Sequence, residues 1–162
     1  NPKSGSLLVA WAYFEMHQGK TRSASDLLAH AKTVDSSSGE MYHVQALLHL
    51  KLGRPRDARQ TVDEGLHVAP THAPLYRVLG AMQDVAGEVE AARASFKEGL
   101  RLNPGYAQLY HAYARLEGRL ANWGALNELN VKAKAAFPVP ETPQMENLQD
   151  ESAWRTLGQE GW

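Results

Sequence analysis

Cysteine is absent from the 162 residues, so the chain has no disulfide framework, no thiolate metal site and no cysteine nucleophile, although the absence names no compartment. An excess of charge of one sign is also missing. Seventeen Lys and Arg stand against eighteen Asp and Glu for a net −1, which argues against a generally basic nucleic-acid binder. No apolar run approaches the roughly 18 residues that a membrane helix needs, and no membrane insertion is expected. Residues 1–6 carry neither the apolar core of a secretory signal nor the Arg-rich pattern of a transit peptide. Proline and glycine are not enriched, at 8 and 13, but their spacing is informative, and a hydrophobic fraction of 43% suffices for a sizeable core.

Pro70, Pro104 and Pro138 lie 34 residues apart, each after a stretch with helical periodicity that a proline cannot continue. Gly19, Gly53 and Gly87 repeat the same interval where one helical pattern stops and the next begins. Windows cut at 5–38, 39–72, 73–106 and 107–140 align without insertions. Their fourth position reads Leu8, Tyr42, Tyr76 and Tyr110, and their eighth reads Ala12, Ala46, Gly80 and Ala114, small enough for close helix packing. The twentieth reads Ala24, Ala58, Ala92 and Leu126, and the twenty-eighth Lys32, Leu66, Leu100 and Lys134. Apolar spacing such as Leu75, Val78, Leu79 and Met82 is helical, not alternating. Eight helices are therefore expected at about 6–18, 21–34, 39–52, 55–68, 73–86, 89–102, 107–119 and 123–137. At roughly 13 residues each, they draw their stability from packing on neighbours.

The third window, with Tyr76, Leu79, Gly80, Gly87, Ala92, Phe96 and Pro104, resembles the tetratricopeptide (TPR) signature at nearly every position. The first and fourth windows resemble the half-tetratricopeptide (HAT) variant, in which an aromatic-rich run leads to a glutamate: Trp11, Ala12 and Glu15, then Tyr110, Tyr113, Ala114 and Glu117. The resemblance implies an all-α, right-handed α-solenoid of antiparallel helix pairs in four repeats of 34 residues. Mixtures of the two variants are similar to organellar RNA-maturation proteins as well as to scaffold subunits, so the resemblance speaks to fold more than to partner. Asn1-Pro2 occupies the position where a preceding repeat would end, and we expect the C-terminal part of a longer array. Ala121 in place of the turn glycine, Leu126 in place of the small residue, and polar Asn127, Asn130, Lys132 and Lys134 mark the fourth window as a terminal repeat. Residues 1–140 are thus expected to form the array, and 141–162 a proline-containing linker and acidic tail with Trp154, Leu157 and Trp162 as anchors. The tail holds five acidic residues and one basic, leaving 16 basic and 13 acidic, or +3, on the array.

Catalytic patterns fare poorly. Gly19-Lys20-Thr21 has the ending of a phosphate-binding loop, but Phe14 stands where that loop needs glycine, and Gly19 already belongs to the turn positions. Asp26 and His30 share a helix face with no nucleophile placed to use them. The nearest histidine pairs, His43 with His49 and His67 with His72, lack the i, i+4 spacing that sets two metal ligands on one helix face. Neither an enzyme, a metal nor a cofactor is expected.

What remains is a surface. The resemblance places the inner face of the superhelix at positions two, five, nine, twelve and thirteen of each window. The fifth reads Val9, His43, Arg77 and His111, and neighbouring positions add Tyr13, His17, Lys51, Arg115 and Arg119. This semi-basic ladder suits an acidic peptide or a phosphate backbone, with Tyr13 for stacking or apolar contact. The favoured expectation is a scaffold that holds protein partners in a multi-subunit complex through this face and the tail; the alternative is binding of single-stranded RNA in an organelle such as the chloroplast. TPR domains that grip the C-terminal carboxylate of heat-shock proteins use lysine and asparagine at positions five and nine. Here those positions read Val9 and Tyr13, His43 and Leu47, Arg77 and Ala81, His111 and Arg115, and no chaperone C-terminal peptide is expected to bind.

Overall fold

A computed structural model describes residues 2–138 of the chain, with side chains from Ser4 onward. Its eight helices are α1 (Pro2–His17), α2 (Thr21–Val34), α3 (Gly39–Lys51), α4 (Pro55–Val68), α5 (Ala73–Val85), α6 (Val89–Leu102), α7 (Ala107–Arg119) and α8 (Trp123–Ala136). Among the described residues there is no strand. The helices match the expected ones to within a residue or two except at the start of α1. There Pro2 opens a helix, where its missing N–H costs nothing, whereas Pro70 and Pro104 stand in turns.

Two kinds of turn alternate, and each follows from its residues. Within a pair, the helix ends in a left-handed residue: Gly19, Gly53 and Gly87 have φ of 79°, 69° and 81°. The next amide then donates back to a carbonyl of the preceding helix, Lys20 to Glu15 O, Arg54 to His49 O, Glu88 to Gln83 O and Asn122 to Glu117 O, at 3.0, 2.9, 2.8 and 2.9 Å. This is the Schellman arrangement that satisfies the orphan carbonyls of a helix end. In the fourth pair Ala121 takes the glycine's role at φ 52°, a conformation that L side chains adopt only under strain. After each even-numbered helix, Asp35, Ala69, Asn103 and Phe137 leave the helical region with φ from −126° to −149°, and the last three precede a proline that favours this backbone.

The pairs stack in chain order. Each odd-numbered helix touches its own partner, the next odd-numbered helix and the even-numbered helix before it, so α1, α3, α5 and α7 form one layer and the even helices the other. Buried side chains fall in two clusters that meet at α5, one from Val9 to Leu79 and one from Ala73 to Leu129, instead of one shared centre. Close approach is set by small residues. A Cβ on Gly65 of α4 would lie 2.9 Å from Leu75 Cδ1, and one on Gly99 of α6 would lie 2.7 Å from Leu109 Cδ1. The leucine at the third position of the third and fourth windows thus nests against a glycine of the preceding pair. Leu75 and Leu109 are fully buried in this way, while Leu7, with no pair before it among the described residues, is 68% exposed beside exposed Trp11 and Phe14. At the other end, α8 buries only Leu129 and shows Trp123 and Val131 to solvent. No helix among the described residues is long and apolar enough to cross a membrane.

Candidate functional site

The odd-numbered helices enclose a groove of about 460 Å³, with walls from three successive pairs. Val9, Ala10 and Tyr13 come from α1, Glu40, His43 and Leu47 from α3, and Pro74 and Arg77 from α5, while Gln108 starts α7. Ser38 and Tyr106, each the residue just before an odd-numbered helix, close the rim. Helical spacing puts these side chains on one face, since positions five and nine of each window lie one turn apart.

Of the residues singled out from sequence, Tyr13, His43 and Arg77 come together here. Tyr13 is half exposed, and its ring meets His17 edge-on with centroids 4.4 Å apart. His43 is buried, and its Nε2 lies 3.4 Å from Arg77 Nη2. Lys51, Arg119, His111 and Arg115 do not line the groove. The Lys51 ammonium donates to the carbonyl of Met16 at 2.5 Å, tying α3 to α1, and the Arg119 guanidinium is paired with Asp84. His111 and Arg115 are exposed along α7. The ladder read as a run of available cations is therefore only partly available: Arg77, Lys51 and Arg119 already have partners within the fold. Trp154, Leu157 and Trp162 lie outside the described residues.

Sequence reasoning missed Glu40 and did not join His72 to His43. Glu40 stands three residues before His43 on α3, and its carboxylate lies 3.5 Å from His43 Nδ1 and 3.2 Å from His72 Nε2. The two imidazoles hold that carboxyl well below the usual carboxylate range, His43 contributing most. His72 precedes α5 and its ring packs over Gly39, where a Cβ would lie 2.6 Å from His72 Cγ. The histidine pairs weighed from sequence, His43 with His49 and His67 with His72, are not the pair that meets; His43 and His72 face each other from near the two ends of one window, 39–72. A glycine at residue 39, where later windows carry Ala73 and Ala107, was the available signal.

The glutamates that recur in the first and fourth windows, Glu15 and Glu117, both have partners. Glu15 accepts from Trp11 Nε1 at 3.3 Å and sits 3.5 Å from Lys20. Glu117 is fully buried and accepts from Arg93 Nε and Nη2 at 2.6 and 2.9 Å and from Asn122 Nδ2 at 2.8 Å. Arg93, and less so Asn122, keep its carboxyl ionised below the ordinary range despite burial. Because Arg93 belongs to α6 and Glu117 to α7, this pair joins the third helix pair to the fourth. A larger cleft of about 870 Å³ between α6, α7 and α8 contains it, but Arg93 there is already engaged by Glu117 and Glu90, which makes the cleft a structural joint.

Neither a family model nor a curated relative matches the chain. Solved structures do. The chain is similar to a thermophilic TPR protein of Thermus thermophilus, at TM-score 0.72 and 19% identity over 96% of this chain and 82% of that one. It is similar to Pseudomonas aeruginosa PilF at TM-score 0.71 and 15% identity over 84% of this chain, and spans 62% of the PilF chain. It is also similar to the first TPR of Spaghetti (RPAP3), solved with an HSP90 peptide, SRMEEVD, at TM-score 0.62 and 16% identity over 75% of this chain and 96% of that one. The pitch, the pairwise stacking and these likenesses define a helical-repeat solenoid. The fold is the tetratricopeptide-repeat fold.

Proposed function

We propose that this chain is a non-catalytic scaffold that holds a segment of a protein partner in the groove across α1, α3 and α5, within a larger assembly. What carries the reading is the balance of the groove. Its apolar wall of Val9 and Leu47 lies beside the half-exposed ring of Tyr13. Arg77 offers one buried donor, Nε, that has no hydrogen-bond partner, and an unpaired buried donor favours an occupant that brings an acceptor. A peptide that lays an apolar side chain on Tyr13 and a carbonyl or carboxylate on Arg77 answers both. The tail residues Trp154, Leu157 and Trp162 are proposed as a second anchor, aromatic side chains being frequent hot spots when they dock.

A photo-crosslinking residue at Tyr13 tests this, with His67, exposed on α4, as the control position. The reading expects adducts to peptide segments from Tyr13 and not from His67; equal labelling at both overturns it. The RNA reading draws on His111 and Arg115, which are exposed and have no ion pair among the described residues. Saturable binding of single-stranded RNA that weakens steeply with salt, and is lost when Arg77, Arg115 and Arg119 are replaced together, would establish that reading instead. Deleting 141–162 separates the tail's share from the groove's. The HSP90 peptide belongs to the RPAP3 structure; with Val9 and Tyr13, His43 and Leu47 at positions five and nine, we expect no such binding here, and a titration showing micromolar affinity for the peptide would contradict this.

A further inference from the structure

We propose that Glu40, His43 and His72 form a site for a single zinc ion on the wall of the groove. The proposal stands whether or not the groove holds a partner. The three side chains each offer one ligand atom, and these atoms all lie within 4.8 Å of one another. In a tetrahedral zinc site with bonds of about 2.0–2.1 Å, neighbouring ligand atoms are about 3.3 Å apart. Glu40 Oε1 lies 3.5 Å from His43 Nδ1 and Oε2 lies 3.2 Å from His72 Nε2, each close to that edge but on different oxygens of the carboxylate, so an ion is enclosed by a small turn of the Glu40 carboxyl group.

The second observation is independent of the cluster's shape. His43 Nδ1 and His72 Nε2 are buried, and although the Glu40 carboxylate lies 3.5 and 3.2 Å away, neither makes a well-aligned hydrogen bond. His43 is only 7% exposed, and His72 is seated in the space that Gly39 leaves. Buried ring nitrogens are normally satisfied, and two that converge on one carboxylate without a well-aligned bond to it are placed to share a cation with it. The donor set selects the ion: two imidazoles and a carboxylate without thiolate suit zinc, whereas calcium and magnesium want shells of oxygen. Three protein ligands leave a fourth position open, and two of the three, Glu40 and His43, line the groove.

One neighbour opposes the ion. Arg77 Nη2 lies 3.4 Å from His43 Nε2, the nitrogen that carries the proton once Nδ1 binds metal. Two donors then face each other, and the partly buried Arg77 must swing towards the groove. Zinc and the free position of Arg77 are thereby linked.

The test uses the full chain, stripped with a chelator and titrated with Zn²⁺ by calorimetry. The expected result is one equivalent, with a weakening of about tenfold or more in each of Glu40→Gln, His43→Gln and His72→Gln, and none in His67→Gln. Gly39→Ala, which leaves every ligand in place but drives a Cβ into the His72 ring, also weakens binding. Should a variant unfold, the imidazole nitrogen resonances of the wild-type chain decide: zinc shifts those of His43 and His72. No saturable uptake, uptake unchanged in the three ligand variants, or shifts confined to other histidines overturns the site and leaves only a charge cluster.

Discussion

Gly80 stands at the eighth position of its window, where Ala12, Ala46 and Ala114 stand in the others, and the reason is a single ring. A Cβ at Gly80 would lie 2.5, 2.8 and 2.9 Å from Cε1, Cδ1 and Cζ of Phe96. Phe96 is 1% exposed and packs against Tyr113 with centroids 5.6 Å apart, so the ring has nowhere to retreat without opening a void or pressing on α7. Replacing Gly80 with alanine gains about 1 kcal/mol of helix propensity. Overpacking a closed core costs about 1–3 kcal/mol. The net expectation is a loss of about 1 kcal/mol, or about 4 °C in unfolding midpoint. Gly118→Ala is the control, because the nearest atom to its Cβ, Leu126 Cδ1, is 4.0 Å away and only the propensity gain remains. The two glycines, both helical, should therefore differ by about 2 kcal/mol in urea unfolding. A cycle with Phe96→Val locates the cause: Val62 fills that position one window earlier, next to Ala46, and Gly80→Ala should become neutral or stabilising once the ring is gone. A Gly80→Ala protein as stable as Gly118→Ala, or a cost that survives Phe96→Val, would refute the packing account.

Three further outcomes follow from the same packing and turn geometry. Ala121→Gly relieves a φ of 52° and should stabilise by about 0.5–1 kcal/mol in urea unfolding, while alanine at Gly53 or Gly87 should cost a similar amount. Leu7→Ala should cost under about 0.5 kcal/mol and Leu75→Ala or Leu109→Ala about 2–5, because the first is exposed and the others are fully buried at the same position; equal costs would mean that α1 is covered in solution. Glu117→Gln should cost about 2 kcal/mol at neutral pH by removing the charge that Arg93 and Asn122 address. The Glu117 carboxyl has its folded-state pKa lowered from the ordinary 4.5, so folding favours the ionised form: its contribution is complete above that value and fades as pH falls below it. Thermal unfolding of both proteins should accordingly converge on acidification, and a gap that stays constant would rule the charge out as its source.

What the sequence made legible was whatever recurs. Turn glycines, prolines and small packing residues recur because each helix pair solves the same local problem, and comparing equal positions 34 residues apart exposes them directly. Even the exceptions obeyed this logic, since Ala121 and Gly80 depart from their columns and the structure gives each a physical reason, one a strained turn and one a ring. Contacts between unequal positions stayed hidden. His43 is the fifth residue of its window and His72 the last, so no column holds both, and they meet because one pair hands over to the next just where Gly39 leaves space for a ring. Arg93 reaches Glu117 across such a handover as well, and Lys51 reaches the end of α1. The inner-face ladder has a related limit: a column shows which residues share a direction, but whether Arg77, Lys51 or Arg119 is free depends on His43, Met16 and Asp84, whose contacts with them cross from one window to another. In a solenoid the repeat sets the scaffold, and the individuality of the surface arises at the joints between repeats.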